Sequence, residues 1–161
     1  MRIVVQRVNW ARVAWTDAGG EHESWIGPGL SILLGVGPGD EEADSERLAQ
    51  RVALLRIFSG DNGRPHLSLG ETGGAALVVS QFTLYADTQR GRRPSYTGAA
   101  GPERARTLYE CFVTRLGQLG VEVLTGGFGS HMRLALESDG PVTLVLSTEP
   151  WETRVRGAGG R

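Results

Sequence analysis

Short apolar runs separated by glycine and proline fill the first quarter of the chain. Residues 2–8 and 11–16 are rich in strand-forming residues, and a third such run around 23–26 follows a turn at 17–20. Residues 30–36 are almost continuously apolar, which is typical of a strand buried on both faces near the centre of a sheet. The pattern therefore predicts an antiparallel opening that leads into a central strand.

Two later segments have helical periodicity. Asp40 is a suitable N-cap, acidic residues follow it, and apolar residues then recur at helical spacing, which predicts a helix over about 41–57. Pro102 suits the first position of a second helix, which we expect to end near Gly117 or Gly120. The second helix has the clearest apolar stripe in the sequence: Ala105, Leu108, Tyr109, Phe112, Val113 and Leu116.

The remaining segments complete the predicted fold. Residues 65–69 predict a short edge strand, and 121–125, 132–137 and 141–147 predict three closing strands. Regular alternation of strands and helices is missing, so we predict a single α+β domain with a mostly antiparallel, barrel-like sheet and two main helices. We assign residues 1–148 to this domain and expect 149–161, rich in glycine and arginine, to be a disordered basic tail.

The stretch from Leu77 to Asp87 changes character in its middle. Residues 77–79 predict a strand buried on both faces, and Ser80, Gln81 and Thr83 follow it directly. Buried polar groups cost free energy unless each finds a partner. The partners are either neighbouring backbone groups or a ligand, and the local residues leave both interpretations open.

Composition and motifs exclude several classes of protein. A net charge of −1 argues against a protein that coats nucleic acid by charge alone. One cysteine excludes an internal disulfide, and no Cys/His cluster has zinc spacing, so we expect neither a metal nor another cofactor. We found no nucleophile elbow, phosphate-binding loop or H-E-x-x-H motif, and expect the three histidines to lie at the surface. Without a signal or membrane-spanning segment, we expect a soluble cytoplasmic protein.

Two further features have both an ordinary and a functional interpretation. Residues 88–101 predict a loop in which Arg90, Arg92 and Arg93 either are solvated or bind phosphate groups. Gly140-Pro141 either forms a hairpin turn or adopts a cis bond that presents its carbonyls to a ligand. An activated ester could be hydrolysed beside Ser80–Thr83 by a positioned water and oriented N–H groups.

Three segments, 80–87, 91–95 and 140–143, carry a resemblance to the D-aminoacyl-tRNA deacylases, which covers roughly residues 1–148. The resemblance implies a cytoplasmic homodimer that hydrolyses the ester between a D-amino acid and the 3′ end of tRNA, without a metal. It implies that a cis Gly140-Pro141 reaches into the partner's pocket and excludes L side chains. Glycine has no side chain, so glycyl-tRNA is an expected second substrate.

The resemblance also assigns roles to individual residues. Ser80 and the backbone around Phe82 would bind the aminoacyl end, and Gln81 would shape the pocket. Either Thr83 would be the nucleophile, or a water would attack with assistance from the 2′-hydroxyl of the tRNA. We favour the water mechanism, because no residue that could act as a base is visible near Thr83. Arg7 would brace the Gly-Pro segment. Phe128 and Met132 would line the pocket for the terminal adenosine. The rival hypotheses are a non-enzymatic nucleic-acid-binding module that uses the three arginines and a small-molecule esterase.

Overall fold

A six-stranded sheet forms the centre of the molecule in the computed structural model, which describes residues 1–60, 63, 65–89 and 92–149. Its strands are β1 (Arg2–Asp17), β2 (Gly20–Ile26), β3 (Gly29–Gly35), β6 (Ala75–Ser80), β7 (Glu122–Thr125) and β8 (Met132–Ser147). A two-stranded sheet is formed by β4 (Phe58–Ser59) and β5 (Pro65–Leu67). The helices are α1 (Glu42–Ala53), α2 (Leu69–Thr72), the 3₁₀ helix Phe82–Tyr85 and α3 (Pro102–Gln118).

The sheet order is β2-β1-β3-β6-β7, and β8 pairs with β1. Strand β1 is antiparallel to β2, β3 and β8, whereas β6 lies parallel to both β3 and β7. The sheet curves into a nearly closed barrel, which confirms the predicted α+β class. The apolar run at 30–36 corresponds to β3, which lies between β1 and β6 as expected of a central strand.

Two boundaries predicted inside the long strands are wrong. The runs 2–8 and 11–16 form one strand, β1, and the runs 132–137 and 141–147 form one strand, β8. The pairing between β1 and β8 shifts register between Gln6 and Val8 and again between Val8 and Trp10. Such irregularities accommodate extra residues without ending the ladder, so Asn9 and Trp10 stay inside the strand.

The helices differ from the prediction mainly at their ends. Helix α1 stops at Ala53 instead of continuing to 57, because the chain leaves the helix at Leu54 to reach β4. Helix α3 has Pro102 in its first turn and ends two residues before Gly120, whose positive φ of 86° continues no helix. The four-residue helix α2 was not predicted. It begins with a capping box between Ser68 and Glu71.

The core has two parts, one on each face of the sheet. The first lies between the sheet and helices α1 and α3, and it includes Ile3, Ile32, Leu34, Val78, Leu48, Val52, Leu108, Tyr109, Phe112 and Leu116. The second lies on the other face and includes Val8, Ala11, Val13, Ile26, Leu77 and Val79. Strand β6 contributes to both, so the prediction that residues 77–79 are buried on both faces is confirmed.

Candidate functional site

The candidate site is built where β6 ends. Ser80 is the last residue of β6 and pairs with Leu34 of β3, and the N–H of Gln81 still donates to the Leu34 carbonyl at 2.7 Å. The chain then turns into the 3₁₀ helix, in which the N–H of Leu84 donates to the Gln81 carbonyl. This abrupt turn leaves the ring of Phe82 57% exposed beside a strand that is otherwise buried.

A pocket of about 400 Å³ opens beside this turn. Ser80, Gln81 and Phe82 form one wall, α3 contributes a second, and residues 128–129 a third. A pocket of this size that is mostly apolar, with a few polar groups at one end, is typical of a small-ligand site. The described residues that line it are Leu34, Val36, Ser80, Gln81, Phe82, Tyr96, Ala99, Ala100, Pro102, Ala105, Tyr109, Phe128 and Gly129.

A smaller hollow of about 250 Å³ lies on the other side of the same turn. It shares Ser80–Phe82 and Gly129 with the pocket, and its further lining includes His131 and Met132. The structure therefore separates the two residues assigned to adenosine by resemblance, since Phe128 lines the pocket and Met132 lines the hollow. His131 is exposed, as expected, yet it lines the same hollow as Ser80.

Two of the polar side chains at the turn, Gln81 and Thr83, are paired with each other. The amide nitrogen of Gln81 donates to the hydroxyl oxygen of Thr83. In the described part of the chain, no histidine or carboxylate forms a hydrogen bond with Thr83. A base-activated Thr83 nucleophile therefore has no visible support in this arrangement.

Phe128 is held in place by two residues of α3. The ring of Tyr109 lies 5.5 Å from that of Phe128, and the Arg106 guanidinium lies 4.7 Å over the Phe128 ring. The Tyr109 hydroxyl donates to the carbonyl of Val78 at 2.8 Å, and burial of this phenol raises its pKa. The pocket wall is thus fixed to the strand that carries Ser80.

The far end of the 3₁₀ helix is anchored by charged residues. The Arg2 guanidinium lies 4.3 Å over the Tyr85 ring and donates to the carbonyl of Leu84 at 3.2 Å. The Tyr85 hydroxyl donates to the Asp40 carboxylate at 3.3 Å. Burial, together with the negative charge of Asp40, raises the pKa of Tyr85. The turn that presents Phe82 and Thr83 therefore has a fixed base.

Arg7 and Gly140-Pro141 lie together but apart from the pocket. The Gly140-Pro141 bond is cis. Arg7 pairs with the Asp139 carboxylate at 2.7 Å, and it also donates to the Asp139 carbonyl at 3.3 Å and to the carbonyl of Ile57. These contacts fix the residue before the Gly-Pro bond.

Strand register shows how far this segment lies from Ser80. Arg7 pairs with Leu30, whereas Ser80 pairs with Leu34, four residues further along β3. Four strand residues correspond to about 13 Å. Within one chain, Gly140-Pro141 therefore lies near the opposite end of these strands and does not line the pocket.

The described part of the arginine loop leads into Tyr96, which lines the pocket. Backbone hydrogen bonds between Asp87 and Ser95, at 2.8 and 2.9 Å, close its base, and Tyr96 then packs edge-on against Phe82. Arg92 and Arg93 are exposed and form no ion pair within the described residues. Arg90 and the tail 150–161 lie outside the described residues, so the predictions made for them are not tested.

Sequence reasoning missed several residues of the site. Tyr109 was expected only in a helix stripe and Tyr96 only in the arginine loop. Gly129, and Ser130 in the wall of the hollow, carried no recognisable signal. In the described part of the chain, no group of three or more His, Cys, Asp or Glu side chains could hold a metal ion. Among the same residues, no helix is long and apolar enough to cross a membrane.

Comparison with known proteins gives consistent matches. Residues 4–147 match the family model described as D-Tyr-tRNA(Tyr) deacylase. The D-aminoacyl-tRNA deacylase of Roseiflexus sp. (strain RS-1) is 55% identical over 148 residues, which cover 92% of this chain and 94% of that protein. The deacylase of Symbiobacterium thermophilum is 51% identical over 149 residues, with 92% and 97% covered.

Two solved structures are also similar. One, titled c-Myc DNA Unwinding Element Binding Protein, is 31% identical, with a TM-score of 0.84 over 93% of this chain and 100% of the other. The second is described as a probable eukaryotic D-amino acid tRNA deacylase. It has a TM-score of 0.79 over 90% of this chain and 97% of the other, and at 17% identity it shows the shared fold alone.

Proposed function

The chain belongs to the D-Tyr-tRNA(Tyr) deacylase family, and from this premise we propose that it is a cytoplasmic hydrolase of D-aminoacyl-tRNA. It cleaves the ester that joins the D-amino acid to the 3′ end of tRNA and releases both. It also removes glycine mischarged on tRNA and spares L-amino acids. The observation that carries this proposal is the turn after β6, where Ser80–Phe82 meet an apolar pocket walled by Phe128.

The pocket suits an ester with an aromatic base attached. Phe128 offers a face against which the terminal adenosine can stack. Ser80, at the other wall, lies where the aminoacyl group would enter. Phe82 and Thr83 open the 3₁₀ helix, and the first N–H groups of a helix lack acceptors within it. These N–H groups are suited to stabilise the oxyanion that develops on the ester carbonyl.

The reaction needs no nucleophile from the protein. A water adds to the ester carbonyl, the oxyanion forms, and its collapse expels the 3′ oxygen of the ribose, which takes up a proton. The 2′-hydroxyl of the same ribose assists the attacking water. This route agrees with the pairing of the Thr83 hydroxyl with Gln81.

Chiral selection requires a second copy of the chain. Gly140-Pro141 is exposed and about 13 Å along the strands from Ser80, so it does not reach the pocket of its own chain. We place it in the pocket of the partner in a homodimer, where its carbonyls exclude an L side chain. Arg7 and Asp139 hold it in position for that role.

A nucleic-acid-binding module without catalysis is the second candidate. It is favoured by the exposed Arg92 and Arg93, and by the name of the structural relative that is 31% identical, c-Myc DNA Unwinding Element Binding Protein. The polar turn beside a formed pocket argues for hydrolysis, because binding phosphates alone would not require it.

The test compares hydrolysis of D-tyrosyl-, L-tyrosyl- and glycyl-tRNA by the wild type and Gly140→Ala. Gly140 has φ of +126°, and a Cβ there would lie 2.8 Å from the Val142 nitrogen, so alanine must displace this segment. Gly117→Ala is the matched control, because a Cβ there meets nothing within 4 Å. We expect the wild type and the control to cleave the D and glycyl esters and spare the L ester.

The Gly140→Ala variant is expected to lose this selectivity while it still binds tRNA. Equal wild-type rates on the D and L esters would indicate a general esterase. Binding of tRNA without hydrolysis would favour the module without catalysis. A monomeric mass in light scattering, together with full selectivity, would contradict the proposed role of the partner.

A further inference from the structure

Among the described residues, no charged side chain lines the pocket. Its lining among the described residues is apolar apart from Ser80, Gln81 and the hydroxyls of two tyrosines. A nucleotide that entered this pocket would bring a phosphate to its rim, and nothing in the lining would neutralise that charge. The cation has to come from a residue just outside the wall.

Arg106 is placed to supply it. It follows Ala105, which lines the pocket, and its guanidinium lies 4.7 Å over the ring of Phe128. The side chain is 55% exposed, so its remaining N–H groups face solvent at this rim. Contact with the aromatic face keeps the guanidinium oriented while leaving its edge free to donate.

The other two arginines of α3 form their contacts away from the Phe128 ring. Arg104 donates to the Asp40 carbonyl at 2.6 Å, and Arg115 donates to Gln118 at 3.2 Å. Arg106 has a 3.9 Å ion pair with Glu110, whose side chain is 62% exposed. Exposed pairs at such a distance are weak and easily exchanged for a stronger partner.

We propose that Arg106 binds the phosphodiester that joins the terminal nucleoside of the substrate to the rest of the RNA. This rests on the proposed function, and it adds a residue that specifies an RNA ester over a free nucleoside ester. A guanidinium can donate two parallel hydrogen bonds to one phosphate, which fixes the nucleoside over Phe128. Arg106 is then a binding residue for the substrate, on a different element from Arg92 and Arg93, which precede Tyr96 in the loop.

The test uses two esters of the same D-amino acid, D-tyrosyl-tRNA and D-tyrosyl-adenosine, which lacks the phosphate. The variants are Arg106→Gln and Arg106→Lys. The matched control is Arg47→Gln on α1, because Arg47 is similarly exposed at 61%, pairs with a carboxylate one turn away and lies outside the pocket wall.

For D-tyrosyl-tRNA, we expect Arg106→Gln to raise KM roughly tenfold with little change in kcat, and Arg106→Lys to recover part of the loss. For Arg106→Gln on D-tyrosyl-tRNA, the slope of log KM against log salt concentration should be smaller than the wild-type slope by about one. For D-tyrosyl-adenosine, Arg106→Gln loses only the contact with the Phe128 ring, so its KM should rise by about threefold or less. Arg47→Gln should match the wild type on both esters.

An equal loss on both esters would overturn the proposal, because Arg106 would then act only by packing on Phe128. Unchanged kinetics on both esters would overturn it as well. If the wild type hydrolyses neither ester, the proposed function itself is refuted, and the role of Arg106 falls with it.

Discussion

The carboxylate of Asp40 connects the turn after β6 to the rest of the fold. Asp40 is only 4% exposed, and its oxygens accept hydrogen bonds from the Gly37 N–H at 2.5 Å and the Thr148 hydroxyl at 3.1 Å. It also pairs with the ammonium group of Met1 and accepts from the hydroxyl of Tyr85, the last residue of the 3₁₀ helix. We therefore predict that Asp40→Asn is strongly destabilising.

The size of the effect follows from burial. Breaking a buried ion pair by removing one charge costs about 3–5 kcal/mol, because the other charge remains buried without a counterion. Asparagine keeps one acceptor oxygen, so we expect about 3 kcal/mol, the lower end of that range. The control is Glu23→Gln, which removes the pair with Arg12 where the side chains are 46% and 53% exposed. That change should cost less than about 1 kcal/mol.

Urea unfolding, followed by the fluorescence of the four tryptophans, measures both variants. With a slope of about 1–3 kcal/mol per molar urea, Asp40→Asn should lower the unfolding midpoint by about 1–3 M. Its kcat should also fall under conditions where it is folded, because Tyr85 loses a charged acceptor and the turn shifts. The reasoning is refuted if Asp40→Asn loses no more stability than Glu23→Gln.

Local patterns predicted the helices and strands in which burial follows a regular pattern along the chain. Helix α3 was recognised because its stripe from Ala105 to Leu116 faces one core, and that geometry has a period that can be read from the sequence. Strands β3 and β6 were recognised because both faces are covered, which requires continuous apolar residues. In each of these elements, burial follows a regular pattern along the chain, so apolar residues occur with the same regular pattern in the sequence.

The errors have a different physical origin. Asn9 and Trp10 resemble a break, but pairing with β8 carries β1 through them, and such pairing depends on residues more than 100 positions away. The end of α1 at Ala53 is likewise set by the need to reach β4. Tertiary contacts decide these boundaries, and a local window does not contain them.

Local patterns predicted only the β6 part of the candidate site, and Phe128 was assigned to it by the resemblance alone. Ser80, Gln81 and Thr83 were identified because they follow a buried strand directly, although pairing with neighbouring backbone groups was an equally open explanation. Tyr109 and Phe128 reach the same pocket from separate segments, and each also suits an ordinary core position. Nothing local to a helix stripe distinguishes a residue that faces a pocket from one that faces the core.

Two further predictions concern Thr83 and the buried tyrosines. Thr83→Ala should keep appreciable hydrolysis of D-tyrosyl-tRNA, and near-complete loss with normal folding and tRNA binding would restore Thr83 as the nucleophile. Stability should also fall above about pH 10, the ordinary pKa of a phenol, because burial raises the pKa of Tyr85 and Tyr109 in the folded state. At such pH the unfolded chain has released phenolic protons that the folded chain retains, so the free energy of unfolding declines by at most about 1.4 kcal/mol per pH unit for each tyrosine. Urea midpoints measured from pH 8 to 11 should decline less steeply for Tyr109→Phe than for the wild type or for the exposed control Tyr96→Phe. Parallel curves for all three proteins would mean that the folded chain does not hold the Tyr109 proton, and the hydrogen bond to Val78 would then not anchor the pocket wall.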